Sequence, residues 1–254
     1  MTGNEYSLAG STVLVTGCSG HIGQAIARKL ASAGANVVAH CRDREIRLGE
    51  LLGAIREQGV EALSVAADLA DDAAVAALFD DLGQRGVRVT GLVNNAALQP
   101  VIAFDDMTRD DWRSLQNVNV DAAFQLIQCT ARQLPEGGSI VNIGSIEGLD
   151  PARGHAHYSS SKAALDMLTR AAAQELGSRN IRVNTVSPGL IDRDGLRDDW
   201  PEGVRRWEER APLGRLGSPD DVANAVQFLL SPAADWVSGA NLVVDGGMSS
   251  IARW

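Results

Sequence analysis

From Ser11 onward the chain alternates short, β-branched apolar runs with longer stretches whose apolar residues recur at helical spacing. The short runs read as strands, and their near-continuous apolar character suits strands buried on both faces of a parallel sheet. The pattern predicts strands at Thr12 to Thr16, Asn36 to His40, Ala62 to Ala66, Gly91 to Val93, Ser139 to Ile143, Ile181 to Val186 and Asn241 to Val244. Between them it predicts helices at about Ile22 to Ser32, Glu45 to Glu57, Asp72 to Leu82, Asp110 to Leu134, Tyr158 to Leu176 and Pro219 to Leu230. Gly34 is placed to end the first helix in a left-handed conformation. Such alternation implies an α/β fold, a doubly wound parallel sheet of seven strands with helices on both faces.

One stretch breaks the pattern. Residues Pro188 to Gly217 carry a crowd of charges, among them Asp192, Arg193, Asp194, Arg197, Arg205 and Arg206. A long irregular segment inside a compact domain is as a rule functional or mobile, so 188–217 reads as a substrate lid; a solvated charged excursion is the plainer alternative. No repeat, linker or low-complexity tract interrupts the chain, and 254 residues at 45% hydrophobic content are enough for one large core. The expectation is a single domain over 1–254.

The net charge of -9 argues against nucleic-acid and anionic-membrane partners, which need clustered Lys and Arg, and leaves a small molecule as the expected partner. Cys18, Cys41 and Cys129 are odd in number and scattered, which predicts neither a disulfide framework nor a metal site. Met1 to Leu8 lack a basic segment followed by an apolar run, and no later stretch is long enough to span a bilayer. A soluble, cytoplasmic protein is expected.

Candidate chemistry begins with Thr16-Gly17-Cys18-Ser19-Gly20-His21-Ile22-Gly23, between the first strand and the first helix. Glycines there allow a tight turn and close backbone approach to a pyrophosphate, and the helix N-terminus then faces the negative charge. This is the Rossmann-type dinucleotide position, so Gly17, Ser19, Gly20, His21, Ile22 and Gly23 are cofactor candidates. About twenty residues on, where an NAD enzyme places an acidic residue on the ribose, the chain has Cys41 and Arg42. A guanidinium there suits a 2'-phosphate, which favours NADP over NAD. Alternatively Arg42, Asp43, Arg44 and Glu45 form a solvated charge cluster.

Tyr158-Ser159-Ser160-Ser161-Lys162 opens a predicted helix, and its i to i+4 spacing puts phenol and ammonium on one face. The chain holds only two tyrosines and two lysines, so the pairing has chance odds of roughly two in a hundred. Interconverting a carbonyl and an alcohol needs a proton delivered to, or taken from, the reacting oxygen. A free phenol titrates near pH 10, and a neighbouring ammonium is expected to favour the phenolate.

Together these segments resemble the short-chain dehydrogenase/reductase family in its compact, single-domain, 3-oxoacyl-reductase-like branch. The match runs from Thr12 through Asn94-Asn95-Ala96-Ala97, Ser145, Tyr158, Lys162 and Ser187-Pro188-Gly189 to Asp245-Gly246-Gly247. Two departures stand out: His21 occupies the family's middle glycine, with Gly20 one place earlier, and Ala97 replaces a glycine. The resemblance implies that Tyr158 is the proton donor and acceptor and that Lys162 bonds the nicotinamide ribose. It further implies that Ser145 bonds the reacting oxygen and that Asn119 holds a water leading to Lys162. Asp68 and Leu69 would bracket the adenine, Asn95 would lie against the cofactor, Asn94 would tie strand ends, and Ile191 would meet the carboxamide. A homotetramer is common in the family. The implied function is an NADP(H)-dependent oxidoreductase on a small ketone or secondary alcohol; an NAD-dependent polyol or sugar dehydrogenase and a non-catalytic dinucleotide-binding regulator are the alternatives. Glu147, Asp150, Arg153, His155 and His157 between Ser145 and Tyr158 hint at a small polar substrate.

Overall fold

The computed structural model describes residues 5–43, 48–135 and 137–251. Seven strands form one all-parallel sheet: β1 Thr12–Val15, β2 Asn36–Cys41, β3 Ala62–Ala66, β4 Gly91–Asn94, β5 Gly138–Ile143, β6 Ile181–Pro188 and β7 Asn241–Val244. Their order is β3-β2-β1-β4-β5-β6-β7. Each lies within two residues of its predicted span at either end.

Alternation along β1 explains why these runs are apolar throughout. Val13 and Val15 face one side, with Ile26 and Leu30 of α1 (His21–Ser32), Ile55 of α2 (Gly49–Arg56) and Val222 and Val226 of α9 (Pro219–Leu230). Leu14 faces the other, with Leu78 and Leu82 of α3 (Asp72–Gln84), Leu126 of α5 (Ala122–Gln133) and Ala172 of α6 (Ala156–Leu176). A strand with helices on both faces has no solvated side on which polar residues would be favoured. Gly34 has φ +94°, as its role at the end of α1 requires. The first part of the helix predicted from Glu45 lies outside the described residues, as do Arg44 and residues 1–4.

Two expectations need correcting. The helix predicted over Asp110 to Leu134 is broken: α4 (Arg109–Gln116) passes into a π-helical turn, Asn117–Asp121, before α5 begins. Stretches of i→i+5 pairing are uncommon inside α-helices and frequently sit at functional positions. The 188–217 stretch is also only partly irregular. It folds into α7 (Leu196–Asp199) and α8 (Pro201–Arg210), around a small cluster of Leu196, Val204 and Leu216 with Leu190 and Trp207 packed on it. A parallel bridge between Ile191 and Gly217 pins its two ends together.

Since β1 pairs with β2 on one side and β4 on the other, the connections diverge at β1 and β4. In open α/β sheets the crevice at the carboxyl ends of such strands is where ligands bind. Gly17 and Asn95 lie there, just beyond β1 and β4.

Candidate active site

The loop after β1 is shaped by two glycines. Gly17 has φ +72°, and a Cβ on it would meet the Ala96 Cα at 2.9 Å; a Cβ on Gly23 would lie 2.3 Å from the Gly17 carbonyl oxygen. Gly20 is under no such constraint. Its φ is -90° and the nearest obstacle to a Cβ is 3.6 Å away. The unusual placing of Gly20 and His21 therefore leaves the turn intact, and His21 simply opens α1, exposed, with Nε2 3.7 Å from Asp194 Oδ2. No side chain caps α1 and its first turn has no acidic residue, which keeps the positive end of the helix open toward the crevice.

Asn95 ties this loop to β4: its Nδ2 donates to the carbonyls of Thr16 at 2.8 Å and Gly17 at 3.3 Å. Asn94 does the stitching expected of it, donating to Asn142 Oδ1 at 2.8 Å. His40 was not anticipated. It is buried at the end of β2, its Nδ1 accepts from the Gly17 N–H at 3.4 Å and its Nε2 donates to the Ala67 carbonyl at 3.0 Å. That pairing needs the neutral ring, and burial lowers the His40 pKa accordingly.

A cleft of about 930 Å³ runs from this loop, and every cofactor candidate except Tyr158 and Lys162 lines it: Gly17, Ser19, Gly20, His21, Ile22, Gly23, Arg42, Asp68, Leu69, Asn95 and Ile191. Asn117, which donates to the Ala70 carbonyl at 2.9 Å, and Val118 line it too. Arg42 follows β2 directly and is exposed, with Nε 3.5 Å from Asp43 Oδ2. An exposed pair of this kind contributes under about 1 kcal/mol, so a phosphate competes for the guanidinium on good terms.

Tyr158 and Lys162 stand one turn apart near the start of α6, both buried, with Lys162 Nζ 5.5 Å from the centre of the Tyr158 ring. Here the expected electrostatics is corrected. Burial pushes the Tyr158 phenol up to about 12, Ser145 opposes this through a hydrogen bond, and the Glu147 charge raises it further. The Lys162 ammonium is not among the leading influences on it. Instead its Nζ donates to the Ile143 carbonyl at 2.7 Å, and burial pushes its pKa down to about 8. Burial thus favours the protonated form of the phenol.

Ser145 begins the turn beyond β5, where its Oγ accepts from the Glu147 N–H at 3.1 Å. The buried Asn119 lies in the π turn; its Oδ1 accepts from Leu98 N at 2.8 Å, and its Nδ2 donates to Leu98 O at 3.0 Å and Ser161 Oγ at 3.1 Å. Of the polar residues between Ser145 and Tyr158, Glu147 and His155 pair at 2.8 Å and Arg153 is exposed. His157 is fully buried, and neither ring nitrogen has a hydrogen-bond partner among the described residues. No group of three or more potential metal ligands occurs among the described residues, and no helix there is long and apolar enough to cross a membrane.

Residues 17–249 match the family described as enoyl-(acyl carrier protein) reductase. The 3-oxoacyl-(acyl-carrier-protein) reductase FabG of Pseudomonas aeruginosa is 37% identical over 245 residues, covering 95% of this chain and 98% of the relative. The L-rhamnose 1-dehydrogenase (NAD(P)(+)) of Azotobacter vinelandii is 40% identical over 253 residues, covering 95% and 97%. Among solved structures, a gluconate 5-dehydrogenase from Burkholderia cenocepacia in complex with NADP and tartrate superposes with a TM-score of 0.92 at 33% identity, covering 98% of each chain. With the parallel sheet, the glycine crevice and relatives named as dehydrogenases and reductases along its length, the chain belongs to the short-chain dehydrogenase/reductase family, enzymes that use a nicotinamide dinucleotide to interconvert CH–OH and C=O groups.

Proposed function

We propose that this chain is an NADP(H)-dependent oxidoreductase interconverting a ketone and a secondary alcohol, with Tyr158 as proton donor and acceptor. The observation that carries this reading is the buried Tyr158 phenol one turn from Lys162 on α6, with Ser145 among the groups acting on it. The dinucleotide fits the crevice because Gly17 and Gly23 leave backbone space that a Cβ would fill. Gly17 to Gly23 would hold its pyrophosphate, Asp68 and Leu69 the adenine, Ile191 the carboxamide, and Tyr158 and Lys162 the nicotinamide ribose. When bound, the nicotinamide supplies the hydride to the carbonyl carbon, or accepts it from the alcohol carbon.

In reduction the chain's part is the proton. Ser145 bonds the substrate oxygen and stabilises the negative charge that develops on it, and Tyr158 gives that oxygen its proton. In oxidation Tyr158 first gives up its own proton to solvent, and the phenolate then takes the proton from the alcohol oxygen. Asn119 holds the segment after β4 against α6 through Leu98 and Ser161, which supports its assignment beside Lys162.

Arg42 on the cleft wall favours NADP, as does the NADP named with the gluconate 5-dehydrogenase. A second reading, NAD-dependent polyol or sugar oxidation, draws on Asp43, whose carboxylate already engages Arg42. A carrier-protein substrate is less well supported: Arg179 is spent on the Leu134 and Ala131 carbonyls and Arg170 on Asp166, so two of the basic residues available for docking are engaged within the chain. Exposed Phe124 on α5 and Met167 on α6 favour a homotetramer, and we place the enzyme in the cytoplasm. Two assays test the proposal together: NADPH oxidation over a panel of ketones and sugars, and NADP reduction over the matching alcohols. Turnover of at least one ketone–alcohol pair is expected; dinucleotide binding with no turnover anywhere would favour a regulator.

A further inference from the structure

Beside Tyr158 stands a polar pair that proton transfer does not use. Glu147 Oε2 lies 2.8 Å from His155 Nδ1 and 3.4 Å from Ser159 Oγ, and Oε1 lies 3.4 Å from Gln99 Nε2. The His155 ring meets the Tyr158 ring edge-on, with centroids 5.8 Å apart and an interplanar angle of 66°. The Glu147 N–H is held by Ser145 Oγ, so one short turn carries both the serine and the carboxylate. Side-chain exposure is 17% for Glu147 and 14% for His155, which leaves the pair largely desolvated but not sealed from solvent.

An ionised carboxylate has about four acceptor positions. Only the His155 contact is a short bond; the other two, at 3.4 Å, lie at the long edge of hydrogen-bond range. Oε1 in particular has spare acceptor capacity next to the reaction centre. A carboxylate stripped of most of its water and incompletely bonded is costly, and a hydroxyl donor would relieve that cost through a strong charge-assisted bond.

We propose that Glu147, oriented by His155, is the specificity-determining acceptor for a substrate hydroxyl next to the reacting carbon, so that the site takes neutral polyhydroxylated carbonyls and alcohols, sugars and polyols, in preference to anionic or apolar ones. The inference rests on the reading of Tyr158 as the proton site, because that reading sets where the reacting carbon lies. The selectivity follows from charge and valence. An apolar ketone leaves the carboxylate unpaired as it displaces the remaining water, and an acid anion meets it as a like charge. A site built to bond a substrate hydroxyl rejects the analogue lacking it far more strongly than a greasy pocket rejects one methylene. His155 is a positioning residue here: its bond fixes Oε2 and leaves Oε1 with only the long Gln99 contact.

The test uses the full-length enzyme with NADPH and a panel of neutral sugars and polyols, their deoxy analogues lacking one hydroxyl beside the reacting carbon, and the corresponding aldonates. Binding is read by calorimetry and by ligand-induced shift of the melting temperature, and turnover as kcat and KM separately, on wild type, Glu147→Ala, Glu147→Gln, His155→Ala and His155→Gln. Wild type should favour a neutral polyol over its deoxy analogue by about a hundredfold in kcat/KM. Glu147→Ala should reduce that preference to about threefold or less, chiefly through KM, because it removes the acceptor and nothing else that discriminates. Glu147→Gln keeps an acceptor without charge, so it should retain the polyol and gain affinity for the aldonate. His155→Ala should lose part of the preference and His155→Gln restore it.

If Glu147→Ala lowers hydroxylated and deoxy substrates equally, or if wild type binds no neutral polyol, the proposal is overturned and the pair only pins the loop. Binding is read apart from turnover, so the two readings fail separately. A Tyr158→Phe variant that binds polyol normally and still turns over defeats the proton assignment and leaves the Glu147 result standing. Should Glu147→Ala not fold, the Glu147→Gln change in polyol-to-aldonate preference decides.

Discussion

Around the glycine loop the contacts are mostly backbone: Gly17 and Gly23 pass within van der Waals reach of Ala96 and of each other, Asn95 bonds two carbonyls, and α1 offers an uncapped N-terminus. Around Tyr158 most run from side chain to side chain, joining Glu147 beyond β5 to His155 and Ser159 at the start of α6 and to the more distant Gln99 beyond β4, with the His155 and Tyr158 rings edge-on. The difference is one of tolerance. A backbone cradle recognises what all dinucleotides share and admits few substitutions, whereas a side-chain wall can be rewritten without disturbing the sheet beneath it. One fold can thus keep its cofactor end and change its substrate.

The sharpest break of this comparison is at Gly23. Alanine there drives a methyl into the Gly17 carbonyl, so Gly23→Ala should cost about 2 to 3 kcal/mol of stability and about tenfold or more in NADPH affinity. Urea melts and an NADPH titration would show it, and a change in neither would mean that the loop is not a rigid cradle.

Arg42 is the exception at the cofactor end, a side chain on the cleft wall that we propose discriminates between NADPH and NADH. Arg42→Ala should weaken NADPH by about 1.5 to 3 kcal/mol and leave NADH unaffected. Asp43→Asn should tighten NADPH by removing the carboxylate 3.5 Å away. Equal weakening of both cofactors would return Arg42 to a solvated charge cluster.

Lys162 tests the cost of placing chemistry in the core. Its folded pKa of about 8 lies below the ordinary 10.5, so the charged form is penalised by folding. Wild-type stability should therefore rise with pH from about 8 toward 10.5, where the unfolded chain binds the extra proton. Lys162→Met should abolish turnover yet gain about 1 to 2 kcal/mol at pH 7, after allowing for the unpaired Ile143 carbonyl. That gain should vanish near pH 10. Thermal melts at both pH values check the sign.

Gly20 should show the smallest effect. With an extended backbone and open space for a Cβ, Gly20→Ala should stay within about 0.5 kcal/mol of wild type in stability. A large loss would mean that the glycine spacing, and not its geometry at Gly17 and Gly23, matters.

What could be read from the residues follows the same division. Strand centres, the loop glycines and the Tyr158–Lys162 spacing are local patterns, and each lies where expected. The π turn at Asn117–Asp121 has no compositional mark, because NVNVD would continue an α-helix equally well. His40 sits in an otherwise apolar strand, and only the approach of Gly17 and Ala67 reveals why it is there. α7 and α8 were hidden by their charge, their small core resting on Leu196, Val204 and Leu216 spread over twenty residues of mostly polar sequence. The direction of the Tyr158 pKa is not legible from the spacing, because burial, a tertiary property, sets it first.

If the buried phenol of Tyr158 moves the proton, as proposed, comparing Tyr158→Phe with wild type in NADPH binding and in turnover on the same preparation will show it. The account predicts NADPH affinity within about threefold of wild type and turnover lowered by about a thousandfold or more, since the change removes one hydroxyl and little volume. Turnover retained alongside unchanged binding would contradict it.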